Sequence, residues 1–163
     1  MENTNAYTIK MNSRTLPMLA LLAVLPNLLG MINLPTVEGY KIHTFQYVVF
    51  IAAAVYGPIG GAISGSFGSL FSAVVLNNPY IIIGNMILGF MTGFFVKKGF
   101  KIIPAAMLAY LIQIPWIFVS DVYFMGMPVP LVSKIMTSLL VSNILWAGLA
   151  HKSHKPLKHM LGL

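Results

Sequence analysis

The sequence predicts an all-α polytopic membrane bundle of about six transmembrane helices with both termini cytoplasmic. Three observations predict it. The 163 residues are 58% hydrophobic and only 8% charged, whereas a soluble domain carries about 25% charged residues. The apolar residues fall in runs of near-spanning length, separated by short polar, glycine or proline breaks. The basic residues gather at the ends of these runs. A soluble fold this apolar would expose large greasy patches, and a bilayer removes that problem.

The chain divides into a polar N-terminal segment (1–14), a transmembrane domain (15–150) and a basic tail (151–163). Met1 to Arg14 lacks the apolar core that follows a short basic start in a cleavable signal peptide. A first helix is expected from Thr15 to Asn33, with Pro17 and Pro26 inside it. A polar loop, Leu34 to Thr44, follows and contains Glu38, Tyr40, Lys41 and His43. A second helix from Phe45 to Tyr56 stops at Gly57-Pro58, because proline disfavours helical geometry in the residue before it. At about 1.5 Å per residue it is short for a 30 Å hydrocarbon core. It either tilts, or is partly covered by its neighbours, or fuses with the third helix into a broken element. That third helix runs from Ile59 to Leu76 and ends at the Asn77-Asn78-Pro79 break. A fourth spans Tyr80 to Val96 and ends in Lys97 and Lys98. A fifth spans Ile102 to Val122, with Pro115 inside it. After the proline-rich loop 125–130, a sixth spans Leu131 to Ala150.

Charge orients this plan. Lys10 and Arg14, then Lys97, Lys98 and Lys101, then Lys152, Lys155 and Lys158 share one side if the spans number six. The other side holds only Lys41, with Lys134 just inside the sixth helix. The positive-inside rule places the basic side in the cytoplasm of a cell-membrane protein. The net charge of +7 therefore reads as membrane anchoring rather than nucleic-acid binding.

Enzyme chemistry is not legible. The chain has three acidic residues and no cysteine, and it contains no HExxH, GxSxG or P-loop motif. No metal site or cofactor is expected. His151, His154 and His159 read as solvated anchors in the basic tail.

Binding chemistry is more legible. Asn85, Gln113 and Lys134 fall at similar depth on the fourth, fifth and sixth helices, toward the outer face. They are expected to converge on one pocket, with Trp116 and Asp121 beside Gln113 and with Ser138 one turn below Lys134. Glu38, Tyr40 and His43 in the first outer loop would close it. An apolar pocket with a few convergent polar groups is the usual small-molecule site. The plain alternatives stay open: Lys134 snorkelling to the headgroups, Trp116 in the interfacial belt, and the amides tying helices together. Small residues mark close helix contacts. These are Ala20, Ala23, Asn27 and Gly30 on the first helix, and Gly57, Gly61 and Gly65 entering the third. They serve either internal packing or the docking of another membrane subunit.

The stretch from Val55 to Lys98 has Gly57-Pro58 followed by spaced glycines, the Asn-Pro break, and a fourth helix with Gly84, Gly89 and Gly93 ending in lysines. In this it resembles the substrate-capture (S) components of energy-coupling factor (ECF) transporters. The resemblance covers about a third of the chain by motif, and the rest by architecture. It implies a subunit that binds a vitamin or similar micronutrient near the outer face without hydrolysing ATP. It also implies a transmembrane coupling (T) subunit and two cytoplasmic ATPases as partners. In the family, docking uses the first three helices, here Ala20, Ala23, Asn27, Gly61 and Gly65, typically with two alanines four apart. In this chain Ala20 is followed by Val24, and Ala23 by Asn27. The Met1-Glu2-Asn3 start differs from the Met-His start of the nickel and cobalt members. A scaffold subunit without ligand, and a self-contained small-solute carrier, are the competing classes.

Overall fold

The computed structural model describes residues 13–35 and 40–162. The elements are α1 (Thr15–Gly30), β1 (Asn33–Pro35), β2 (Lys41–His43), α2 (Gln46–Phe67), α3 (Leu70–Val75), α4 (Tyr80–Lys97), α5 (Ile102–Phe118), a π-helical turn (Val119–Phe124) and α6 (Val129–Leu161). The protein is all-helical apart from the small antiparallel pair β1–β2, formed by the two ends of the predicted polar loop. Thr44 ties this hairpin to α1, donating to the carbonyls of Leu29 and Ile32.

The decisive backbone event lies in α2. Gly57 has φ 70° and ψ −155°, a left-handed conformation that glycine adopts without steric cost. Beyond it, a Cβ built on Gly61 would lie 3.0 Å from Ala53 Cβ, and one on Gly60 would lie 3.2 Å from the Ala52 carbonyl oxygen. Residues eight apart in a straight helix are separated by about 12 Å along the axis. The chain therefore doubles back at Gly57, and its two arms lie side by side. Pro58 opens the second arm, where a helix loses nothing by a missing N–H. The expected division between the second and third helices falls at this reversal.

The expected third helix does not run unbroken to Leu76. It stops at Phe67 and resumes as α3. Asn27 of α1 bridges the gap, donating to the Phe67 carbonyl at 2.8 Å and accepting from the Phe71 N–H at 2.8 Å. Tyr56 and Ser64 add bonds to the Thr15 and Leu22 carbonyls, which lock α1 along α2.

The first arm of α2 is buried, with Val49, Phe50, Ala52 and Ala53 fully enclosed, while the second also exposes Ile59 and Phe67. The second arm crosses α4 backbone to backbone, Gly57 against Gly93, Gly61 against Gly89 and Gly65 against Asn85. Small residues permit this approach, which is how helices gain contact where lipid supplies no hydrophobic drive.

Four stretches, Gln46–Val75, Tyr80–Lys97, Ile102–Phe124 and Val129–Leu161, are long and apolar enough to cross a membrane, and α1 is a shorter apolar helix. Leu16, Leu21, Val24 and Leu28 on α1 and Val74 and Val75 on α3 are exposed, as lipid-facing side chains are. Helix α6 runs eleven residues past the expected end at Ala150. At 1.5 Å per residue it is about 50 Å long, more than a bilayer core requires. Its last turns are held to the bundle by Leu161, which is buried, and by Ser153, whose hydroxyl meets the Tyr47 hydroxyl at 2.9 Å.

Candidate functional site

A cavity of about 110 Å³ opens among α3, α4, α5 and α6 beneath the end of β2. Its wall is mostly apolar, with Phe45, Leu76, Tyr80, Ile81, Trp116, Ile117, Met127, Ile135 and Leu139, and its polar groups are His43, Ser72, Asn78, Asn85, Gln113, Ser120 and Asp121.

Helix α5 and the π-helical turn that continues it bring three of these polar groups, Gln113, Ser120 and Asp121. Pro115 removes one N–H from the helix ladder, and the next turns widen into the π-helical turn Val119–Phe124. Such turns re-aim side chains and recur at functional sites. Here Ser120 and Asp121 are buried on the cavity side, at 2% and 7% exposure. Across from them the Asn-Pro break is built around Asn78. Its Oδ1 accepts the Tyr80 N–H at 3.1 Å, so its Nδ2 is the atom that donates to Asp121 Oδ1 at 2.8 Å. The same carboxylate oxygen lies 3.5 Å from the Ser120 hydroxyl.

Gln113 is 3% exposed and lines the cavity, yet its amide makes no hydrogen bond among the described residues. Its amide is open to the cavity, where a ligand can pair with it. Asn85 is half-committed: its Nδ2 donates to the Ile81 carbonyl at 3.1 Å, which leaves its own carbonyl oxygen open. Trp116 donates its indole N–H to the Tyr80 carbonyl at 3.0 Å and meets the Tyr80 ring edge-on at 6.3 Å. Gly84 makes space for both α5 side chains, since a Cβ there would lie 3.2 Å from Trp116 Cδ1 and 3.4 Å from Gln113 Nε2.

The first loop forms the roof. The His43 N–H donates to Ser142 Oγ at 3.0 Å and the Lys41 N–H to Ser138 Oγ at 3.4 Å, so two serines one turn apart on α6 hold strand β2. Burial, and then the charge of Lys41, hold the His43 imidazole below its ordinary 6.5, so it is neutral at pH 7.

The family model for the ECF transporter substrate-specific component matches residues 14–155. The chain belongs to that family. It is one of transporter substrate-binding subunits rather than enzymes. Its members bind small molecules and associate with a T subunit and ATPases, so this S component is a multi-pass membrane transport protein. A search of curated proteins returns no match.

The S component's cavity gathers Asn85, Gln113, Trp116 and Asp121 from the expected set. Lys134 and Ser138 do not line it. Lys134 Nζ lies 5.2 Å over the Tyr40 ring, a cation–π geometry, and Ser138 holds β2. These three residues therefore support the roof instead of the wall. Glu38 lies outside the described residues. The Asp121 carboxylate is held by Asn78.

The expected docking residues separate as well. Gly61 and Gly65 are buried against α4, so their faces are used inside the chain. Ala23 is buried, and Asn27 bridges α2 and α3. Ala20 alone is exposed, on the α1 face with Leu16, Val24 and Leu28. Sequence reasoning missed Asn78, Ser72, Ser120 and Phe45. Asn78 had a signal, the Asn-Pro break itself, though a turn alone accounts for that pattern.

Proposed function

We propose that this S component captures a small water-soluble vitamin or related micronutrient in the cavity beneath β2 and passes it to an ATP-driven coupling module. That module comprises a T subunit and two ATPases in the cell membrane. The single observation that carries the reading is the Gln113 amide, which lines the cavity and makes no hydrogen bond among the described residues, in a chain that belongs to a substrate-binding family. Asn85, Trp116 and Asp121 are the other proposed ligand contacts. Tyr40, Lys134 and Ser138 act through the roof, and the exposed α1 face around Ala20 meets the T subunit.

The reversal at Gly57 supports six passes, counting the arms of α2 separately. With six, Arg14, the lysines 97, 98 and 101, and the lysines of the α6 end lie on one side. The positive-inside rule makes that side cytoplasmic, termini included, and the cavity then opens outward.

The test is native mass spectrometry of the purified chain, followed by calorimetric titration of the released compound. The expected result is a bound small nutrient whose affinity drops roughly 10-fold or more in Gln113→Ala. A ligand-free protein whose melting no vitamin raises would overturn the reading in favour of a scaffold.

A further inference from the structure

The wall of the cavity is short of positive charge and rich in open acceptors. Among the described residues no lysine or arginine lines it. His43 is neutral at pH 7, its imidazole lowered by burial and by Lys41. Asp121 is the one carboxylate, 7% exposed. Both of its hydrogen bonds run through Oδ1, from Asn78 and Ser120, so among the described residues Oδ2 has no partner. Asn85 presents a second open oxygen, because its Nδ2 is occupied by the Ile81 carbonyl. Asp121 and Asn85 both line the cavity, and a carboxylate oxygen and an amide oxygen left unpaired there attract a hydrogen-bond donor. A carboxylate or phosphate brought there would meet like charge with no cation to offset its desolvation.

The lining narrows the ligand further. Trp116 and Phe45 are in the cavity wall and supply flat faces for a ring.

We propose that the cavity takes a nitrogen heteroaromatic ring that presents a cationic or N–H donor to Asp121 Oδ2, and that it excludes ligands whose inserted group is a carboxylate or phosphate. This inference rests on the capture reading and names the substrate class of that site.

The test uses the full chain in detergent, with thermal shift followed by calorimetric titration. Thiamine and pyridoxamine serve as cationic probes, nicotinamide as a neutral donor, and nicotinate, biotin and pantothenate as anions. Nicotinamide and nicotinate differ only in carboxamide against carboxylate. The expected result is stabilisation by one or more of the first three and none by the anions. Affinity should fall roughly 10- to 100-fold in Asp121→Asn, the range for losing a hydrogen bond to a charged group. Asparagine keeps an oxygen for Asn78, so the unliganded melting point should stay near wild type. Asp121→Ser replaces it if that variant does not purify as a single species. An anion that binds would overturn the inference while leaving the capture reading intact. So would a cationic or neutral probe whose affinity neither variant changes. Absence of stabilisation by any probe, with no ligand found by native mass spectrometry, would overturn the capture reading and this inference with it.

Discussion

Gly89→Ala puts a methyl carbon 2.0 Å from the Gly61 carbonyl oxygen and 2.5 Å from the carbonyl carbon, with Val49 Cγ1 at 3.1 Å. The obstacle is backbone, so no rotamer change relieves it. Non-bonded heavy atoms prefer about 3.5–4.0 Å, so α2 and α4 must part by more than about 1 Å. Separation at Gly89 also loosens Gly57 against Gly93 and Gly65 against Asn85, because the three contacts lie on one crossing. Overpacking a core costs about 1–3 kcal/mol. A backbone clash at the central crossing belongs at the top of that range, about 3 kcal/mol. For a chain of this size that corresponds to a melting point lower by about 6–12 °C. The assay is thermal unfolding of the purified protein, followed by tryptophan fluorescence in one detergent. Gly148→Ala is the matched control: it lies in α6 with nothing within 4 Å of an added Cβ. Alanine gains up to about 1 kcal/mol of helix propensity there, so its melting point should hold or rise. If Gly89→Ala melts with the wild type, the α2–α4 crossing is not as close as described and the packing argument fails.

Asn27→Ala removes both bonds that bridge α2 and α3 and should cost about 2 kcal/mol, read as a lower melting point with unchanged helicity by circular dichroism. Ser142→Ala frees the His43 N–H from α6; faster ligand release in stopped-flow measurements is expected, with little change in melting. Lys134→Ala should weaken ligand binding less than Gln113→Ala in paired titrations, since Lys134 lies over Tyr40 while Gln113 lines the wall. His43 is lowered from 6.5 in the folded protein, so the unfolded chain binds its proton more readily. Its contribution to stability is complete above about pH 6.5 and is lost as pH falls through that value toward the folded pKa. His43→Gln should flatten the melting-point profile between pH 7 and pH 5.

Legibility differed sharply between residues. Asn85 and Gln113 could be found because an amide inside an apolar run stands out, and helix depth follows from counting residues. Trp116 and Asp121 could be found for the same reason. Lys134 was equally conspicuous, but depth does not say which way a side chain leaves its helix, and the structure turns it to Tyr40. Ser138 and Ser142 lie on the inward face of α6, as their spacing predicts, yet what they meet is loop backbone. Gly61 and Gly65 show the same limit, since spaced glycines announce a close contact without naming the other side.

Composition and charge alone determined that this chain is a membrane protein, and the Gly57-Pro58 and Asn77-Asn78-Pro79 breaks determined where two of its turns fall. Those properties are local: hydropathy, helix length and turn chemistry act over neighbouring residues. Only the tertiary structure decided that the chain doubles back at Gly57, that α4 fills the glycine face of α2, and that Asn78 holds Asp121 across 43 residues of sequence. Each of these depends on how helices rotate about their own axes to pack. That rotation is set by backbone contact between distant segments, which no single segment's pattern encodes.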